Sequence, residues 1–178
     1  MIAGLVLAAG AGVRFGEPKA PVVMNGERLV DRAVRCLREG GCDPVLVVLG
    51  AWVGDVPDAE VIVNDGWTTG MASSLRAGLA ALAGRPDVTS VVVTLVDLPG
   101  LTGEAVRRIT GAGGEIVVAT YGAERGHPVR FDRRHWQEIS AVASGDAGAR
   151  AFLSGRTDIM FVEVGDVALG YDVDEPIA

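Results

Sequence analysis

Unbroken apolar runs alternate along this chain with apolar stripes of helical spacing. Ile2–Ala8, Val45–Leu49 and Val91–Val96 are apolar at nearly every position, with a shorter run at Val61–Val63. Runs of this kind predict strands buried on both faces, as in a parallel sheet. Leu29, Val30, Ala33, Val34 and Leu37 share one face of a helix over Leu29–Leu37, which Gly40 and Gly41 stop. Met71, Leu75, Leu79 and Leu82 predict a second helix over Met71–Leu82, and Thr102 can cap a third that reaches Ile109. Ile116–Ala119 and Val129–Phe131 read as strands around a loop. Arg134–Val142 and Ala147–Leu153 read as helices, and Ile159–Val164 and Leu169–Asp172 as late strands. The alternation predicts an α/β chain: a single three-layer α/β/α, Rossmann-like domain over residues 1–178 with a mostly parallel sheet. In such folds ligands bind at the carboxyl ends of the strands, so the loops after Ala9, Gly50, Val63 and Val96 are expected on one edge.

Composition narrows the function. The chain has 178 residues, 49% of them apolar, and a formal net charge of −7. That is enough apolar surface for one core and excludes a disordered chain. An acidic chain without a long Lys/Arg run also excludes nucleic-acid binding driven by charge. The apolar N-terminus lacks a basic leader region and runs straight into AGVRFGEPKA, so it reads as a buried strand rather than a signal peptide. No apolar run reaches the roughly 18 residues of a membrane helix. A cytoplasmic protein is expected, with Cys36 and Cys42 as free thiols, since their spacing fits neither a disulfide framework nor a zinc site.

Two features point to one loop. Glycine is abundant, 25 residues, and of 16 basic residues only Lys19 is a lysine. Lys19 lies in Leu7-Ala8-Ala9-Gly10-Ala11-Gly12-Val13-Arg14-Phe15-Gly16-Glu17-Pro18-Lys19, directly after the first strand. Gly10 and Gly12 let the backbone turn sharply and aim N–H groups at an anion. The spacing G-x-G-x-x-x-G and the Pro18 break do not match a dinucleotide fingerprint, and Lys19 lacks the context of a Walker loop. Bare amides with two cations, Arg14 and Lys19, suit a polyphosphate; the alternative is a glycine-rich surface turn.

LAAGAGVRFGEPKA resembles the signature loop of the MobA-like nucleotidyltransferases, most closely the molybdenum cofactor cytidylyltransferases. VIVNDGWTTGMASSLRAGL (62–79), VTLVDLPGL (93–101), GHPV (126–129), GDAGAR (145–150) and YDVDEP (171–176) continue the resemblance in order along nearly the whole chain. It implies CMP transfer from CTP to molybdopterin with release of pyrophosphate, and transient contact with a molybdoenzyme or its chaperone. There are two departures. Glu175 stands where the family usually has threonine, which bears on the metal site. The sequence ends at Ala178, where the family usually continues into a helix, which bears on packing or oligomerisation.

The chemistry assigns roles to residues. Attack of a phosphate oxygen on an α-phosphorus brings two anions together, so catalysis is positioning and charge neutralisation. Lys19 is expected on the α- or β-phosphate, and Arg14 on the β/γ oxygens. Asp97, rigid at the end of its strand, is the candidate ligand for Mg2+; the alternative is a turn-former before Pro99. The resemblance gives Asp174 as its partner. Asp172, two residues earlier, points the same way in an extended segment and stays a candidate. Leu7, Ala8, Ala9, Gly10, Gly12, Asn64, Gly70, Ser73 and Ser74 are expected around the nucleotide, with Ser73 and Ser74 equally suited to helix capping. Trp67 either lines the pocket or packs beside it, and Met71 reads as core. His127, on a loop between Gly126 and Pro128, is expected to contact the acceptor, as is Arg150 at a helix start. His135 with Arg133 and Arg134 reads as a solvated helix start. Two alternatives keep the chemistry: GMP transfer to the same cofactor, and transfer to a sugar-phosphate-type acceptor. A third is a non-catalytic nucleotide-sensing relative.

Overall fold

A computed structural model describes residues 1–176. The expectation about the chain end beyond Pro176 lies outside the described residues. The elements in chain order are β1 (Ile2–Leu7), β2 (Val23–Met24), β3 (Glu27–Arg28), α1 (Leu29–Glu39), β4 (Val45–Leu49), β5 (Glu60–Val63), α2 (Met71–Ala83), β6 (Ser90–Leu95), α3 (Gly103–Gly111), β7 (Ile116–Tyr121), β8 (Glu124–Asp132), α4 (Trp136–Val142), α5 (Arg150–Leu153) and β9 (Ile159–Glu163). Seven strands form one sheet in the order β5-β4-β1-β6-β8-β7-β9, and β2 and β3 form a small hairpin. The pairs β1–β4, β1–β6, β4–β5 and β7–β9 are parallel, whereas β8 runs antiparallel to both its neighbours.

The two-residue period of each strand divides the core into two layers. Val6, Val45, Val47, Leu49 and Val92 join Leu29, Val34, Leu37, Val106 and Ile109 on the side of α1 and α3. Leu5, Leu7, Leu46, Val48, Val91 and Val93 join Leu75, Leu79, Leu82, Trp136 and Ile139 on the side of α2 and α4. Helices thus cover both faces, which is why the central strands are apolar throughout. Gly40 ends α1 and Gly41 follows at φ +90°, while Thr102 Oγ1 accepts the Ala105 N–H at 3.2 Å to cap α3. Cys36 and Cys42 are free and buried. Among the described residues no helix is long and apolar enough to cross a membrane.

Several expectations are corrected. Residues 169–172 form no strand. Their backbone is taken by the loop after β6 instead: Leu169 N–H donates to Gly100 and Val173 N–H to Asp97, each at 3.0 Å. His127 does not lie on a loop. It belongs to β8, which extends well before Val129. The register against β7 shifts from Val118↔Val129 to Ala119↔Gly126, so His127 and Pro128 bulge where proline has no N–H for the ladder. The two late helices begin later than their pattern suggests, each preceded by a short 3-10 turn, Arg133–His135 and Gly145–Ala147. His135 is buried against Glu115 at 3.0 Å, and Arg133 donates to the carbonyls of Ala83, Arg85 and Val88 behind α2.

Arg130 is another buried arginine that ties an end down. It is 7% exposed and donates to the carbonyls of Thr110, Ala112 and Gly114 at 2.7, 2.8 and 2.9 Å, just behind α3. Replacing it with alanine leaves these carbonyls without their charged donor inside the fold. The expected cost is about 3 kcal/mol of stability, read as a lower midpoint in denaturant titration.

Candidate active site

The loops after β1, β4, β5 and β6 meet on one edge, as the strand pattern predicts. Val96 N–H donates to Leu7, Ala51 N–H to Ala9 and Asn64 N–H to Leu49. The glycine loop folds tightly above this edge. Gly12 holds φ +63°, and a Cβ there would stand 1.9 Å from the Glu17 carbonyl oxygen, so only glycine fits. Gly16 N–H returns to the Gly12 carbonyl at 2.7 Å.

This turn delivers Lys19 and Arg14 to the end of β6. Lys19 Nζ stands 2.8 Å from Asp97 Oδ2 and 3.2 Å from Asp174 Oδ1, and Arg14 reaches the other Asp174 oxygen at 3.1 Å. Lys19 and Asp97 are largely covered, at 13% and 18% side-chain exposure, whereas Arg14 is open at 77%. The Arg14 pair is therefore worth little as a tether and leaves the guanidinium free to exchange partners. Burial pulls the Lys19 pKa down, but the hydrogen bonds and charges of Asp97 and Asp174 outweigh it and the net direction is up. The stability this gives is present at and below pH 10.5 and is lost only as pH rises through the raised value, so Lys19 is a cation throughout the neutral range.

Asp97, Asp172 and Asp174 each offer a carboxylate oxygen within 4.8 Å of the others. The tail places Asp174 here through the bond between Val173 N–H and the Asp97 carbonyl. Asp97 Oδ1 is buried and has no hydrogen-bond partner among the described residues. An orphaned carboxylate oxygen beside two further carboxylates, with an ammonium already lodged among them, is a donor set that fits a hard divalent cation.

Two cavities share the end of β1 at Leu7, and none of Arg14, Lys19, Asp97, Asp172 and Asp174 is among their lining residues. The smaller, about 270 Å³, is lined by Leu7, Ala9, Gly10 and Ala11 of the glycine loop and by Trp67, Gly70, Met71 and Ser74 at the start of α2. The larger, about 590 Å³, opens between the sheet and α5; Val93, Val118, Val129 and Phe131 form much of its wall, with His127, Arg125 and Arg150 among its polar groups. Leu7, Met71 and Asp146 line both. Met71, expected as core, is thus half-buried at the junction.

Other expected contacts turn inward. Asn64 Nδ2 donates to Ser73 Oγ at 2.8 Å and to Ser74 Oγ at 3.1 Å, while its Oδ1 accepts from Gly66 N–H. Ser73 Oγ in turn donates to the Gly70 carbonyl at 2.8 Å. Asn64 and Ser73 therefore organise the turn into α2, and of the three only Ser74 lines the cleft. Neither serine caps α2, whose N-cap is Gly70. Arg150 lines the larger cavity, but α5 has only four residues, so the guanidinium itself carries the charge there. Arg125 and Asp146 were not singled out by sequence. Arg125 precedes GHPV and Asp146 lies within GDAGAR, and their placement depends on the β7–β8 hairpin and on contact with Gly70.

His127 Nδ1 lies 3.3 Å from the Val93 carbonyl, which can only accept. Nδ1 is thus the donor, and Nε2 keeps its lone pair. Burial lowers the His127 pKa, against opposing contributions from the Val93 carbonyl and Asp97. A depressed histidine stabilises above its ordinary 6.5 and loses that contribution as pH falls through the lower folded value. Stability measured by thermal melts is expected to decline on acidification below pH 6.5, and to decline less in His127→Asn.

A glycine loop that lines a cavity and aims two cations at carboxylates at the end of a parallel strand defines a nucleotidyltransferase of α/β fold. The MobA-like NTP transferase domain model matches residues 4–159, and the chain belongs to that family. The nicotine blue oxidoreductase of Paenarthrobacter nicotinovorans is 35% identical over 97% of this chain and 92% of its own length. A molybdenum cofactor guanylyltransferase of Rhizobium leguminosarum bv. trifolii is 32% identical over 72% of this chain and 61% of its own. Among solved structures, Rv0371c from Mycobacterium tuberculosis superposes with a TM-score of 0.81 at 32% identity, covering 98% of this chain and 93% of that one. A structure of Rv0371c in complex with manganese gives 0.77 at 27% identity, covering 97% and 93%.

Proposed function

We propose that this enzyme transfers CMP from CTP to molybdopterin and releases pyrophosphate. The observation that carries the reading is the convergence of Arg14 and Lys19 on Asp97 and Asp174, together with two cavities that share Leu7, Met71 and Asp146, the smaller of them lined by the glycine loop. The smaller cavity takes the nucleotide, with the backbone of Leu7, Ala8, Ala9, Gly10 and Gly12 against base and phosphates. The larger takes the acceptor, its phosphate drawn by Arg125 and Arg150.

The acceptor phosphate oxygen attacks the α-phosphorus. The new P–O bond forms as the bond to the β-phosphate oxygen breaks, and pyrophosphate leaves. A phosphate monoester is largely deprotonated near neutral pH, so no residue has to remove a proton. Lys19 follows the charge developing on the α- and β-phosphates, and Arg14, released from Asp174, grips the leaving pyrophosphate with its paired N–H groups. Mg2+, held by Asp97 and Asp174 with Asp172 beside them, would supply the positive charge that offsets the phosphate oxygens.

The cytidylyl assignment rests on the motif resemblance of the signature loop, GHPV and GDAGAR. The guanylyltransferases among the relatives keep GMP transfer as the alternative. The oxidoreductase named for another relative implies redox chemistry, but the G-x-G-x-x-x-G loop with its two cations favours a triphosphate over a dinucleotide. Pyrophosphate release measured with each NTP and Mg2+, with and without molybdopterin, tests the reading. Release with CTP only when molybdopterin is present is the expected result. Release with GTP alone would replace CMP by GMP transfer, and tight NTP binding without release under any condition would make the chain a sensor.

A further inference from the structure

The wall of the nucleotide cleft carries a single ionisable side chain among its lining residues, Asp146. It belongs to the 3-10 turn Gly145–Ala147, which packs directly on the start of α2. Gly70 makes this approach feasible: a Cβ there would stand 2.5 Å from the Gly145 carbonyl and 2.8 Å from Asp146 Oδ1. Asp146 Oδ1 accepts the Met71 N–H at 3.3 Å, and the side chain makes no other hydrogen bond among the described residues. Asp146 is exposed, so its second oxygen, without a donor among the described residues, is open to water until a ligand displaces it.

Ser74 lines the same cleft and is 3% exposed. Its Oγ accepts from Asn64 Nδ2 at 3.1 Å, and its own hydroxyl hydrogen finds no acceptor among the described residues. The cleft thus offers a carboxylate acceptor and a hydroxyl donor between the apolar side chains of Leu7, Val13, Trp67 and Met71. Donor and acceptor groups fixed between apolar walls discriminate by the penalty on a ligand that leaves them unpaired.

We propose that Asp146 and Ser74 read the base and select cytosine over uracil. Asp146 accepts from the exocyclic amino group, and Ser74 donates to the neighbouring ring nitrogen or carbonyl. Uracil carries a carbonyl oxygen in place of that amino group. It would face a carboxylate, and both acceptors would lose water without gaining a donor. The inference rests on the assignment of this cleft to the nucleotide.

Calorimetric titration of the full chain with Mg·CTP and Mg·UTP tests it, for the unmodified protein, Asp146→Asn and Ser74→Ala. Asparagine keeps an oxygen for the Met71 N–H, so the contact to α2 survives while the amide can donate to uracil. The unmodified chain is expected to prefer CTP by about ten- to a hundredfold, the scale of one base-edge contact. Asp146→Asn is expected to cut that preference at least tenfold, chiefly by tighter UTP binding, and Ser74→Ala to weaken CTP. An unchanged ratio in Asp146→Asn, or an equal loss for both nucleotides, would overturn the proposal and leave Asp146 as a latch on α2. Failure of the unmodified chain to bind either nucleotide would instead overturn the assignment of the cleft.

Discussion

Lys19→Ala is expected to lower pyrophosphate release at least tenfold, and on the order of a hundredfold, the scale measured when one preorganised charge-stabilising group is removed from an active site. The side chain is largely covered and spans from the glycine loop to Asp97 and Asp174. Its loss removes positive charge from the phosphates and leaves Asp97 and Asp174 facing each other with Arg14 as the nearest compensation. The fold is held elsewhere, by the two apolar layers on the sheet, so the far-UV spectrum is expected to be unchanged. Lys19→Arg separates charge from shape. A compact ammonium between two carboxylates is not replaced by a planar fork, so partial rather than full recovery is expected. Unchanged turnover in Lys19→Ala would show that the cation plays no part in the chemistry.

Asp97→Asn is expected to abolish the metal requirement together with the activity. The substituted amide would keep the size of the side chain and its place at the end of β6, but it would bring no charge to the carboxylate cluster. Hard divalent cations are held by charge and oxygen count, so Mn2+ binding followed by electron paramagnetic resonance is expected to weaken at least tenfold. Turnover is expected to fall by two or three orders of magnitude, roughly the cost of a missing electrostatic partner in a water-poor site. The lost partner also reduces the net upward shift of Lys19, whose strongest upward contribution is the hydrogen bond to Asp97. A variant that keeps both full rate and its response to the metal would remove Asp97 from the site.

The half of the fold around β1, β4 and β6 was legible in the chain because burial on both faces leaves a plain mark. Val45–Leu49 and Val91–Val96 are apolar at every position but one, Thr94, and they became β4 and β6 on either side of β1. The other half was less legible. Glu124, Arg125, Gly126 and His127 do not look like a strand, because β8 leaves the core at that end and its side chains turn to solvent and to the larger cavity. Residues 169–173 alternate like a strand, but their backbone partners are the Gly100 and Asp97 carbonyls, a pairing that depends on a loop far away in sequence.

The same division holds in the site. Arg14, Lys19 and Asp97 stood out because their chemistry is carried by residue type and local context. Asn64 and Ser73 have the right chemistry and the right position, yet their hydrogen bonds close on each other, which only the fold of the turn decides. Asp146 is the reverse: within GDAGAR only Arg150 stood out, and Asp146 is brought to the junction of two cavities by its approach to Gly70. His135 read as solvated because its partner, Glu115, lies 20 residues earlier, in the loop before β7.

Calorimetric titration of CTP, with Mg2+ and with a chelator, on the unmodified chain and on the Arg14→Ala/Lys19→Ala double variant probes the shared root of these expectations. Binding that needs the divalent ion and is lost with the two cations is the predicted outcome. If no nucleoside triphosphate binds at the glycine loop under any metal condition, the proposed roles of Arg14, Lys19, Asp97 and Asp174 are contradicted together.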